Sequence, residues 1–153
     1  ADRQLMRATG AAAAVSPTSN LFLGSGFFDF DGAQQHGMRH GLASDVGGGT
    51  SFSPFHTMLA AYYAGREGQT KPGLSLKPSR LWWLHTGGAA RALGLEGVIG
   101  TLQPGSEADF VLLDPKATPL LARKTERAQN LEELLFALIV LGDDRVVDQV
   151  VIA

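Results

Sequence analysis

The chain has 153 residues and a mass of 16.2 kDa, enough for one domain with a hydrophobic core of its own. Apolar residues make up 44% and charged residues only 18%, against roughly 25% charged in an ordinary domain, which argues against intrinsic disorder. Thirteen Lys and Arg against fifteen Asp and Glu leave a net charge of −2, and no stretch gathers the cations into a stripe, so no nucleic-acid partner is expected.

Taken in chain order, Leu5, Met6 and Ala8 followed by Gly10 predict a short opening helix with a glycine stop. Ala11 to Val15 is small and apolar, a short buried strand that runs into a polar loop, Ser16-Pro-Thr-Ser-Asn20. Residues 32–37 form a weak helix, and the loose alternation from Met38 to Ser44 predicts a second strand that delivers Asp45 at its end. Ser53-Pro54 starts a helix over Phe55 to Tyr63, with Gly65 as its stop. Residues 65–78, rich in Gly, Pro, Lys and Gln, are an exposed connection. Ser79 caps a helix over Arg80 to Leu84, and Gly88 to Leu93 makes another, closed by Gly94. From Leu95 the texture turns β-rich, with a strand within Asp109 to Asp114 and a last one over Val146 to Ile152. Between them Asn130 precedes a strongly apolar helix, Leu131 to Leu141, ended by Gly142. The longest unbroken apolar run, Leu134 to Leu141, is eight residues, far short of the ~20 that span a bilayer, so a soluble chain without a membrane partner is expected.

Chemistry is carried by few residues. The absence of cysteine removes disulfides, thiolate zinc sites and thiol nucleophiles together and fits a cytoplasmic protein. Ser44-Asp45-Val-Gly-Gly-Gly49 places an acid at a strand end before glycines that let a ligand approach the backbone. The same residues also suit a glycine-rich turn in which the Asp caps a helix. His36 and His40 have a zinc-like i, i+4 spacing, but Gly37 and Gly41 break the helix it needs, leaving surface or strand-edge histidines. His56 and His85 fit hydrogen-bonded packing roles, and Trp82-Trp83 fits the core. No Gly-X-Ser-X-Gly exists, and no Lys follows Gly47-Gly48-Gly49, so neither a serine elbow nor a phosphate loop is formed.

Four stretches together resemble the guanine deaminases of the amidohydrolase superfamily: Pro17-Thr-Ser-Asn-Leu-Phe-Leu-Gly-Ser-Gly26, Ser44-Asp-Val-Gly-Gly-Gly-Thr-Ser51, Gly100 to Asp114 and Leu141-Gly-Asp-Asp-Arg145. The third is general to the superfamily, and the other three are more specific. The resemblance implies an α/β fold, namely the C-terminal part of a (β/α)8 TIM-type barrel over residues 1–94. Residues 95–153 would supply strands of a small β-sandwich with the apolar helix 131–141 between them. It also implies a zinc ion that activates water to attack C2 of guanine, a step of purine catabolism, with Asp45 as both metal ligand and proton acceptor after the eighth barrel strand. Val15 to Asn20 would then be the seventh strand and its loop, with Ser19, Asn20 and Gly47 at the rim of the purine pocket.

The family's paired histidines, its third metal histidine and its catalytic glutamate match nothing here, and Ser16 stands where Cys is common. The resemblance therefore implies the C-terminal third of an enzyme whose partners are the remaining barrel, a purine substrate and a second copy in a homodimer. Such a fragment alone is expected to be inactive. The alternatives are a deaminase of 8-oxoguanine, a pyrimidine or a triazine, and a non-catalytic remnant that acts as an interaction module.

Overall fold

The computed structural model describes residues 2–67 and 73–153. Helix α1 (Asp2–Thr9) leads into strand β1 (Ala12–Val15), and helices α2 (Pro17–Leu23) and α3 (Phe30–Gln35) make the crossover to strand β2 (Arg39–Leu42). The two strands are parallel, in register from Ala12 opposite Arg39 to Val15 opposite Leu42. Helices α4 (Pro54–Glu67), α5 (Pro78–His85) and α6 (Gly87–Ala92) follow, and α6 lies on β2. Strand β3 (Phe110–Leu113), helices α7 (Pro119–Thr125) and α8 (Leu131–Leu141) and strand β4 (Val147–Val151) complete the order, with β3 and β4 antiparallel. The described part of the chain is thus a mixed α/β structure.

The core joins the strand ends to a layer of three helices. Val15 and Leu42 meet Phe55, Met58, Leu81, Leu84 and Ile139, each almost wholly shielded from water. Burial of side chains this size contributes about 1.5–3 kcal/mol apiece. Phe55 on α4 meets Trp82 on α5 edge to face at 5.8 Å, and the Trp82 indole N–H donates to the Leu135 carbonyl on α8 at 3.3 Å. Both tryptophans pack against this core, as the sequence predicts. A second tie crosses from α5 to α8: the Ser79 hydroxyl and backbone N–H both donate to the Glu132 carboxylate, at 2.5 and 2.9 Å.

Several local expectations need correction. Residues 17–23 are helix rather than loop, because Pro17 at the first helical position supplies the φ a helix needs and Gly24 ends it in the left-handed conformation. Gly65 does not stop α4; it sits inside the helix where Leu74 and Leu76 press closest, and a Cβ there would lie 3.1 Å from both. Of the predicted connection 65–78, residues 68–72 lie outside the described residues. Ser79 is inside α5, which starts at Pro78, so its polar groups serve Glu132 instead of a cap. Helix α7 was not expected in the β-rich section; Pro119 starts it and the Thr118 hydroxyl accepts from the Leu121 N–H at 3.2 Å. Helix α8 spans the predicted residues, and Asn130 caps it, its side chain accepting from the Glu133 N–H at 3.0 Å.

Candidate active site

Because β1 and β2 run parallel, their C-terminal ends open at the same end of the pair, where catalytic groups of α/β folds gather. The ladder extends one step further, with the Ala43 N–H donating to the Val15 carbonyl at 2.9 Å. Immediately beyond lie Thr18 and Ser19, both buried in the first turn of α2, and Asp45 after β2. Among the described residues Asp45 is the one non-glycine with a left-handed backbone, at φ +50°. Such a conformation is tolerated by Asp and is drawn to functional positions.

The turn after Asp45 holds it there. The Gly49 N–H donates to the Asp45 carbonyl, and a Cβ on Gly49 would meet the Ser44 carbonyl oxygen at 1.9 Å, so only glycine closes this turn. A Cβ on Gly48 would lie 2.8 Å from Asp45 Oδ2 and 3.1 Å from Ser19 Oγ, so the carboxylate and the hydroxyl face the same glycine. Among the described residues the Asp45 carboxylate has no hydrogen-bond or ion-pair partner and caps no helix, so the capping alternative does not describe it. Gly47, at φ +117°, is exposed with open space around it. Asn20 is half-buried one residue beyond Ser19, its backbone N–H on the Ser16 carbonyl at 2.9 Å.

The structure thus brings Ser19 and Asp45 together at a strand-end turn. Thr18 was missed by sequence reasoning: its hydroxyl is buried and, among the described residues, has no partner. A polar pair such as Thr18-Ser19 directly after a proline that starts a helix is the signal that would have found it.

The four histidines do not converge on Asp45. His36 ends α3, with Nδ1 2.7 Å from the Gly32 carbonyl. His40 is buried rather than at a strand edge, because the crossover lays Phe28 and Phe30 against it at 5.7 and 6.2 Å. Burial holds its pKa below the ordinary histidine value, the hydrogen bond to the Met38 carbonyl opposes this, and the charge of Arg80 adds to the lowering. His56 is exposed on α4, so the packing role predicted for it is not the one it has. His85 ends α5 with Nε2 buried and, among the described residues, unpartnered; burial lowers its pKa, and a hydrogen bond to its own backbone opposes this. It lines an open, mostly apolar cleft of about 900 Å³ between α5 and the β3–β4 ribbon, which Asp45 does not line. Among the described residues no three His, Asp or Glu side chains gather as a metal site. Asp45 fits a cation as one free carboxylate, yet it is a single donor where zinc takes at least three protein ligands.

The chain is similar to known proteins over nearly its whole length. The sequence model of the amidohydrolase family matches residues 1–152, and the chain belongs to that family. Within it, the chain is 39% identical over 137 residues to guanine deaminase of Escherichia coli, covering 90% of this chain and 30% of that protein. It is 37% identical over 146 residues to a probable guanine deaminase of Deinococcus radiodurans, covering 95% and 33%. The solved E. coli guanine deaminase superposes with a TM-score of 0.92 at 36% identity, over 98% of this chain and 34% of that one. The guanine deaminase of Bradyrhizobium japonicum does so with a TM-score of 0.85 at 33% identity, over 98% and 38%. The chain therefore spans about a third of the length of the relatives it matches.

Proposed function

We propose that this chain is the C-terminal third of a guanine deaminase, a cytoplasmic, homodimeric enzyme that adds water across the C2–amine bond of guanine and releases xanthine and ammonia. In this reading β1 and β2 are the last two strands of a (β/α)8 barrel, and β3 and β4 are strands of the small sandwich beside it. The observation that carries it is the Asp45 carboxylate: unpaired, held by a left-handed residue at the end of a parallel strand and facing Ser19. Likeness to guanine deaminases along nearly the whole chain supports the choice of substrate.

Asp45 would be one ligand of the zinc, with the others on the rest of the enzyme. When bound, the metal acidifies water so that attack is possible near neutral pH. The part played by this chain is to hold and to accept. The glycine turn fixes the direction of the carboxylate, and Asp45 takes the proton that the water gives up as its oxygen joins C2. Ser19, Asn20 and Gly47 form the rim, where Ser19 offers a hydroxyl and the bare Gly47 leaves room for a flat ring.

The test is xanthine formation by the full-length protein, with Asp45→Ala as the variant. Turnover should fall by roughly three orders of magnitude or more while the melting temperature stays near that of the parent. Near-normal turnover by folded Asp45→Ala protein would overturn the assignment, and faster turnover of 8-oxoguanine than of guanine would overturn the substrate. The 153-residue chain alone should neither hold zinc tightly nor deaminate guanine.

A further inference from the structure

At the opposite end of β2 from Asp45, cations collect in a chain whose net charge is negative. A pocket of about 190 Å³ is lined by Arg39 at the first residue of β2, Arg80 in the first turn of α5 and Arg91 in the last turn of α6. Gln34, His40 and Trp83 complete its polar and aromatic wall. Gly37 also lines it, and the guanidinium of Arg7 comes within 4.0 Å of where a Cβ on that glycine would stand. Three of the thirteen basic residues therefore line one small concavity, and a fourth stands beside it.

Their charges are poorly answered from within. Among the described residues no carboxylate lies within 4.0 Å of Arg7, Arg39 or Arg80, and Arg91 has only a long contact of 3.8 Å to the exposed Glu96. Like charges held together repel, by about 1 kcal/mol per pair at 4 Å even in full water screening. Arg80 is held in place despite this. Its guanidinium carbon sits over the Trp83 ring, 4.2 Å from the centroid, a cation–π contact that holds the side chain at the pocket wall. Burial and the charge of Arg91 both work against Arg80's positive charge, the situation that a bound anion relieves.

The structure assigns this pocket as a binding site for a phosphate group, read by Arg39, Arg80 and Arg91 and backed by Arg7. Guanidinium forks match tetrahedral oxyanions bidentately, and a dianion answers two cations where a carboxylate answers one. The pocket suits inorganic phosphate or the terminal phosphate of a larger molecule. The assignment is independent of the deaminase reading, since none of these arginines is near Asp45's turn.

The experiment is a titration of the full-length protein with inorganic phosphate at constant ionic strength, followed by calorimetry and by the ring signals of His40. Phosphate should bind saturably, and a nearby anion should raise the His40 pKa by offsetting Arg80. Arg39→Gln and Arg91→Gln, both at exposed positions that leave the core intact, should each weaken binding roughly tenfold, with deamination unchanged. Arg80→Gln should weaken it further, but it also removes the cover on Trp83, so the two exposed variants decide the matter. Binding of acetate as tight as that of phosphate would overturn the assignment, as would phosphate binding that is absent or indifferent to Arg39→Gln and Arg91→Gln.

Discussion

The two strand pairs of this chain differ in composition, mostly small and polar residues in β1–β2 against mostly large apolar ones in β3–β4, and face opposite circumstances. In β1–β2 the strands are parallel, three of the four residues of β2 are buried, and α6 lies so close that a Cβ on Gly41 would meet the Ala89 backbone at 2.6 Å. In β3–β4 the strands are antiparallel, and Val111, Leu112, Val147 and Val150 are each more than two-fifths exposed. A parallel pair needs covered faces and long crossovers; here α2 and α3 make the crossover and α6 covers β2, while Ala14 on β1 stays exposed. A two-stranded ribbon is marginal alone. The difference teaches that the strand leading to Asp45 is buried by the chain's own helices, whereas the ribbon is left with apolar faces for something else to close.

The largest test of this comparison is at Gly41. Gly41→Val must push α6 off β2, and overpacking of this kind costs about 1–3 kcal/mol, sometimes more. Urea unfolding of the full-length protein should show that loss, with turnover falling alongside as the strand that carries Asp45 shifts. A smaller test concerns the joint between the two regions, where Glu132 on α8 accepts both Ser79 donors on α5. The hydroxyl first, then the N–H, hold the Glu132 carboxyl below its ordinary pKa; desolvation opposes them, and the charge of Lys77 adds a lesser lowering. A group with a lowered folded pKa adds stability above its unfolded value, about 4.3, and loses it as pH falls through the folded value. Glu132→Gln should therefore melt below the parent at pH 7, and the gap should close in acid. A gap that is constant with pH would show that the carboxylate does not tie α5 to α8.

How much of this was legible in the sequence depends on how far each feature reaches. Helices α2, α5 and α7 each have a proline at the start, and α4 begins at Pro54. A first-turn proline marks a helix in the sequence only where apolar residues follow for long enough to show a period, as after Pro54. Helices α2 and α7, of seven residues each, are too short for that, and the same dipeptide marks loops. Asp45 was legible because the strand before it ends on the chain's own pattern. Its left-handed backbone and the approach of Ser19 were not, since they follow from pairing β1 with β2 across the crossover. The arginine pocket was invisible for the same reason: Arg7, Arg39, Arg80 and Arg91 come from four elements and share no local motif.

The smallest effect is expected in the ribbon, and it is the one that most directly separates the two strand pairs. Val111 and Val150 stand directly opposite in the β3–β4 register, so their side chains share a face. Replacing either by Thr keeps the β-branched shape and adds one hydroxyl. If that face met water in the full-length protein, the change would stay within about 0.5 kcal/mol. In the proposed enzyme the face is closed by the rest of the sandwich, where an unpaired hydroxyl costs about 1–3 kcal/mol. We expect Val111→Thr and Val150→Thr each to cost near the lower end of that range, and the pair to fall short of additive because the two hydroxyls can bond each other across the strands. Two neutral substitutions would place the ribbon in water and leave it as open in the whole enzyme as it is in this chain.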